Sequence, residues 1–187
     1  MIPFLWQIIQ QAVVKAPGLI EGLKPQPQKP RSTAPVRVVN GFFIKPYADL
    51  TRAKMQDANL QDANLHTANL TRAKLQGANL SSANLWDANL SGANLQGANL
   101  QGANLVNAYL DGANLQDVNL HGANLYGAHL GYANLQGANL EGANLHTAEL
   151  TGANLRGANL RGVELEGVYL RDAKLRGATM PNGTIHD

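Results

Sequence analysis

From Ala48 to Met180 the chain sets its apolar residues at alternating spacings of two and three, without an insertion or deletion. Leu or Met stands at every fifth residue, twenty-seven positions in all, of which twenty-five are Leu and the other two are Met55 and Met180. Two residues earlier stands Ala in twenty-four cases, the exceptions being Val118, Val163 and Val168. An amphipathic helix needs spacings of three and four, and a half-buried strand needs spacings of two, so neither describes the pattern. The Ala-x-Leu alternation makes a very short extended stretch with both apolar side chains on one side. The two residues that follow must then turn a corner. Gly fills the second corner position in fourteen of twenty-seven cases, as a corner with an unusual backbone angle favours. A chain that turns the same way after every five residues closes into a coil.

A second period gives the number of sides. Residues Thr51-Arg52-Ala53-Lys54-Met55-Gln56 recur twenty residues later as Thr71-Arg72-Ala73-Lys74-Leu75-Gln76, and Gln returns at Gln96, Gln116 and Gln136. Four five-residue units per coil are therefore predicted, with stacked Gln side chains hydrogen-bonding up a ladder. Asn, which stands between Ala and Leu seventeen times, is expected to hydrogen-bond along the stack as well. This pattern resembles the pentapeptide-repeat family, whose motif is a small residue, Asp or Asn, Leu or Phe, and two variable residues. The resemblance implies an all-β fold, a right-handed quadrilateral β-helix with the Leu and Ala columns inside. About seven coils at ~4.8 Å each make a rod roughly 32 Å long. Unlike the family's best-known members, the chain has no Phe at a centre position and no loop between coils. The core is then a column that includes Leu60, Leu80, Leu105, Leu125 and Leu145, too narrow to hold a ligand.

The first forty-seven residues differ in kind, and seven of the eight prolines lie there. Residues 1–23 open with an uncharged amphipathic helix in which Ile2, Leu5, Trp6, Ile9 and Val13 share an apolar face, a candidate tether. It is shorter than a bilayer span and lacks the basic start of a secretory signal, so a cytoplasmic chain, or one built into an intracellularly assembled particle, is expected. Two readings stay open for it: docking on its own protein, or anchoring to a partner or membrane surface. Residues 24–35 read as a Pro-rich basic linker. Residues 36–47 read as a hairpin about Asn40-Gly41 that caps the rod, with Phe42 or Phe43 over the first Leu layer. The β-helix fills 48–187, and Ile185 keeps the centre spacing at a thinly capped end that leaves a homodimer open.

Charge follows the same division. The formal net charge of +2 separates into +5 over residues 1–47 and −3 beyond. Between Lys74 and Arg156 there is no Lys or Arg, while Asp87, Asp111, Asp117, Glu141 and Glu149 occur. The resemblance brings a reading as a DNA mimic that modulates DNA gyrase, but five charges on four sides fall well short of the charge density of duplex DNA. Specific nucleic-acid binding is not expected either, because the basic arm has only Trp6 as a stacking candidate.

The absence of Cys excludes disulfides and thiolate chemistry. The five His fall on different sides or several coils apart, so no metal site is drawn from them, and no cofactor is implied. No nucleophile, base and acid share one side, and a convex prism lacks the pocket that catalysis uses. One side stands out, because His66, Trp86, Val106, Tyr126 and His146 stack at intervals of twenty. Either they are scattered surface apolar residues or they form a protein-contact stripe. The expectation is a non-catalytic interaction rod, tethered by its arm to a multi-protein assembly or a membrane surface.

Overall fold

The computed structural model describes residues 37–187. The helix, its tether residues Ile2, Leu5, Trp6, Ile9 and Val13, and the linker at 24–35 lie outside the described residues.

From Asp49 onward the chain is a right-handed quadrilateral β-helix, the fold that the resemblance implies. Parallel bridges join residues twenty apart, from Asp49 with Asn69 to Asn159 with Thr179. The reason lies in how one unit accounts for its backbone amides. The Leu105 amide donates to the Asn124 carbonyl of the next coil at 2.7 Å, and the Asn104 amide donates back to Ala83 at 2.9 Å. At the second corner the Asn107 amide reaches the Tyr126 carbonyl at 2.9 Å, and the Ala108 amide closes the turn onto Leu105 at 3.0 Å. The remaining amide, at the first corner, donates to the side-chain oxygen of the middle Asn, as Val106 does to Asn104 at 3.3 Å. With all five donors satisfied, a unit with Asn at its middle keeps no orphan amide although it is made almost wholly of corner.

Each corner from Arg52 to Gly177 has its second residue at positive φ, near +50° to +75°, with Gly and non-Gly residues alike. Positive φ at the third residue of the turn alone is the signature of a type II turn, which favours Gly there. The Asn side chains also form ladders between coils. Asn119 Nδ2 donates to Asn99 Oδ1 at 3.1 Å and Asn139 Nδ2 donates to Asn119 Oδ1 at 3.4 Å. The expected Gln ladder does not form among the described residues. Gln116 donates instead to Asp117 Oδ2, and Gln136 accepts from Asn154. The difference is one of position: Asn stands on the flat of a side in strict register, whereas Gln leaves from a corner where the longer side chain fans outward.

The core is the Leu and Ala columns. Leu60, Leu80, Leu105 and Leu125 are fully buried and Leu145 is 1% exposed. At the N-terminal end β1 (Arg37–Val39) and β2 (Phe42–Ile44) pair antiparallel, with Val39 opposite Phe42. Asn40 and Gly41 both have positive φ, as a two-residue type I′ hairpin turn requires. Val39, Phe42 and Ile44 face the core while Val38 and Phe43 face out, which assigns the covering ring to Phe42. Arg37 adds a second closure: its guanidinium donates to the carbonyls of Asn59, at 2.5 Å, and Gln61, at 2.7 Å. In the repeat those two acceptors are served by backbone amides of a preceding coil, and Arg37 replaces them.

Two features near the C-terminal end depart from the metre. Asn144 has no bridge to Glu164, and the amides of Leu145 and Thr147 lack their usual acceptors. This opens a notch of about 220 Å³ lined by Gly142, Ala143, Asn144, Leu145, Gly162 and Glu164. Val163 is bulkier than the Ala of this position, and Glu164 lacks the amide that would extend the ladder to Asn144. Further on, Gly183 rather than Asn182 takes the left-handed conformation, so the chain reverses and Ile185 bridges Thr179 antiparallel. Ile185 therefore leaves the centre spacing and is exposed.

Candidate functional site

All seventeen middle-position Asn residues accept a hydrogen bond from the amide two residues on. Replacing Asn therefore leaves an amide without its acceptor, so the places where it is replaced are informative. Between Asn79 and Asn159 there are three replacements, Tyr109, His129 and Glu149. They form one column, since Tyr109 bridges His129 and His129 bridges Glu149. Sequence reading missed this column because it looked for stacking at the corners only. The signal was available as exceptions spaced by twenty.

The column flanks the predicted stripe. Three residues before each member, across the corner, stand Val106, Tyr126 and His146. In both columns a His meets the Tyr of the coil before it: Tyr109 and His129 stack at 4.9 Å and 6°, while Tyr126 and His146 are tilted at 5.5 Å and 32°. His129 Nδ1 also meets Glu149 Oε2 at 3.2 Å, a hydrogen-bonding contact that is an ion pair only when the imidazole is protonated. Nearer the N-terminal end His66 stacks on Trp86 at 4.6 Å and 6°, and Tyr47 meets the edge of His66 at 5.3 Å. No ring contact crosses Val106, so the five stripe residues form two clusters, one on each side of a half-buried aliphatic gap.

Trp86, Tyr109 and Tyr126 are 41%, 45% and 43% exposed. Each of these rings lies against a His ring of the adjacent coil while remaining part-exposed. Such a surface offers apolar area with hydrogen-bonding tips, the combination enriched where proteins meet. Among the described residues no group of three or more His, Asp or Glu is placed to hold a metal ion, and no helix is long and apolar enough to cross a membrane.

A solenoid of stacked five-residue units whose one departure in mid-rod is a lateral edge is the architecture of a repeat protein. The model of the pentapeptide repeats family matches residues 48–87, 88–127, 123–162 and 148–183, with eight copies, and the chain belongs to that family. Among solved structures it is similar to HetL, a pentapeptide repeat protein involved in heterocyst differentiation regulation from the cyanobacterium Nostoc sp. strain PCC 7120. Identity is 32%, over 76% of this chain and 89% of HetL, with a TM-score of 0.23. It is also similar to the pentapeptide repeat protein Rfr23 from the cyanobacterium Cyanothece 51142, at 40% identity over 61% of this chain and 64% of that one, TM-score 0.28. QnrB1, a plasmid-mediated fluoroquinolone resistance protein, matches at 21% identity over 69% and 77% of the two chains, TM-score 0.43. Comparison with curated protein sequences gives no match.

Proposed function

We propose that this chain is a non-catalytic interaction rod that presents the edge formed by His66, Trp86, Tyr109, Tyr126, His129 and His146 to a protein partner, while residues 1–35 tether it to a larger assembly. The observation that carries the reading is the confinement of the mid-rod departures from Asn to one column beside the stacked aromatics. Those departures forgo hydrogen bonds that every Asn unit makes, and the exposed rings gain nothing for the core. Replacing Trp86 and Tyr126 together by Ala should abolish partner capture from the native source and leave the melting temperature within about 2 °C, since exposed side chains contribute little to stability. Gln96→Ala with Gln116→Ala, on another side, should change neither. Equal capture by all three proteins would remove the proposal.

A second reading, modulation of DNA gyrase by imitation of duplex DNA, draws on the family resemblance and on the acidic middle of the rod. Asp87, Asp111, Asp117, Glu141 and Glu149 supply that charge, but Glu149 is paired with His129 and Glu141 accepts from Asn159. A supercoiling assay with and without the protein decides it. Unchanged gyrase activity at saturating protein rules it out.

A further inference from the structure

The repeated hexapeptide that gave the twenty-residue period also builds a patch that the aromatic edge does not use. One turn of the helix brings its two copies into contact. Lys54 and Lys74 are parallel bridge partners, the Lys74 amide donates to Ala53 at 2.8 Å, and the Arg52 amide donates to Thr71 at 2.9 Å. Lys54 and Lys74 therefore stand one β-spacing apart, about 4.8 Å at the backbone, and so do Arg52 and Arg72 at the adjoining corner. All four are exposed.

This arrangement works against the fold. Like charges directly opposite on a sheet repel. Lys at the middle position also removes the acceptor that Asn supplies, and the amides of Gln56 and Gln76 have no side-chain partner. Yet none of the four cations is paired within 4 Å with a carboxylate among the described residues. The two acids nearest in sequence are turned elsewhere. Asp49 accepts from the Thr51 hydroxyl at 2.7 Å, and the carboxylate of Asp57 lies over Gly77. Gly92, by contrast, leaves room for the stem of Arg72, whose Cγ would sit 3.5 Å from a Cβ there.

We propose that Arg52, Lys54, Arg72 and Lys74 form a binding site for the phosphate headgroups of an anionic membrane surface. The patch is convex and rigid, so it suits headgroups that diffuse laterally to meet fixed charges and require no groove. It contains no ring on which a base can stack, which single-strand recognition requires. Four cations also neutralise few phosphates of a duplex, which carries one charge per ~1.7 Å of its axis. A polybasic patch of this size anchors weakly by itself and works with a second, apolar signal. The uncharged segment Met1–Val14 carries that composition. The site is independent of the aromatic edge, and of the tether it shares only the membrane alternative.

The test is co-sedimentation of the full chain with vesicles of phosphatidylcholine containing about a third phosphatidylserine, against phosphatidylcholine alone. Each surface cation contributes about fivefold to partitioning, the equivalent of about 1 kcal/mol. The quadruple variant Arg52→Gln, Lys54→Gln, Arg72→Gln and Lys74→Gln should therefore lose binding to anionic vesicles by at least a hundredfold and melt no lower than wild type. Arg156→Gln, Arg161→Gln, Arg171→Gln and Arg176→Gln, the same loss of charge elsewhere, should lose less than tenfold. Equal loss in both variants, retained binding by the first, or no binding of the wild type overturns the site. So does a patch-dependent affinity for duplex DNA without affinity for vesicles. Deleting residues 1–35 tests the tether separately: binding lost there but kept by the quadruple variant refutes the patch alone, and the reverse refutes a membrane tether alone.

Discussion

Leu105→Ala tests how the rod is held together. Leu105 is fully buried, with Leu85 and Leu125 one coil before and after it and Ala103 and Ala108 beside it. The substitution removes three carbons, which at ~0.8 kcal/mol each is a transfer loss of about 2.4 kcal/mol. The backbone around the site is fixed by coil-to-coil hydrogen bonds such as Leu105 to Asn124, so the space cannot collapse and a cavity penalty adds to that figure. A total of about 3–5 kcal/mol follows. Leu170 stands in the Leu column of the next side and is only partly buried at the C-terminal end. There no sealed cavity forms and part of the transfer term is already absent, so Leu170→Ala should cost about 1 kcal/mol. Equilibrium unfolding in guanidinium chloride, followed by circular dichroism and, with Trp6→Phe as the background, by Trp86 fluorescence, measures both. The two probes also report whether the end coils melt before the middle, as stacked repeats permit. Equal losses for the two variants, or a loss below about 1 kcal/mol for Leu105→Ala, would refute a core made of one sealed column.

Further outcomes follow from the corners and the ends. Gly112→Ala puts a side chain into open space at φ +62° and should cost about 1 kcal/mol through the left-handed conformation alone. Gly152→Ala meets the Tyr132 ring, with Cε1 at 2.6 Å, and should cost more, an excess that vanishes in the Tyr132→Ala background. Arg37→Met uncovers the Asn59 and Gln61 carbonyls, so hydrogen exchange of the Phe42 and Ile44 amides should quicken about tenfold while that of Leu105 stays unchanged. The Asp49 carboxyl is held below the usual carboxylate range, first by the Thr51 hydroxyl and then by the Thr51 amide. A lowered folded-state value contributes stability that is present above the ordinary carboxylate pKa and lost as pH falls through the lowered one, so its window lies below about pH 4. In Thr51→Val an NMR titration should find the Asp49 midpoint moved up, and an unmoved midpoint would assign the shift to something other than that hydroxyl.

The metre of Ala and Leu made the solenoid legible, because two apolar columns at spacings of two and three admit no helix or sheet. The recurrence of Thr-Arg-Ala-Lys made its four sides legible, because identical surface residues twenty apart record the coil. What escaped was whatever depends on where a side chain leaves the coil. Gln and Asn look equally suited to ladders in a sequence, yet Asn stands on the flat and Gln at the corner. Ile185 keeps a multiple of five, but the shift of the left-handed residue from Asn182 to Gly183 turns the strand back. The capping role of Arg37 was illegible because its acceptors are carbonyls twenty-two and twenty-four residues away. At the candidate edge, the corner stripe was visible and its neighbouring column was not, since Tyr109, His129 and Glu149 look like scattered lapses until the lost Asn hydrogen bonds show what each one forgoes.

Whether one edge of the rod meets a protein partner is read out by site-specific photocrosslinking. A photoreactive phenylalanine analogue is placed singly at Tyr109, Tyr126, Gln101 or Gln116 of the full chain, which is then irradiated in its native source. The edge positions Tyr109 and Tyr126 should yield the same discrete crosslinked protein, and Gln101 and Gln116, on other sides of the rod, should yield none. Crosslinks distributed equally over the four positions, or confined to the Gln positions, would contradict the assignment of the edge.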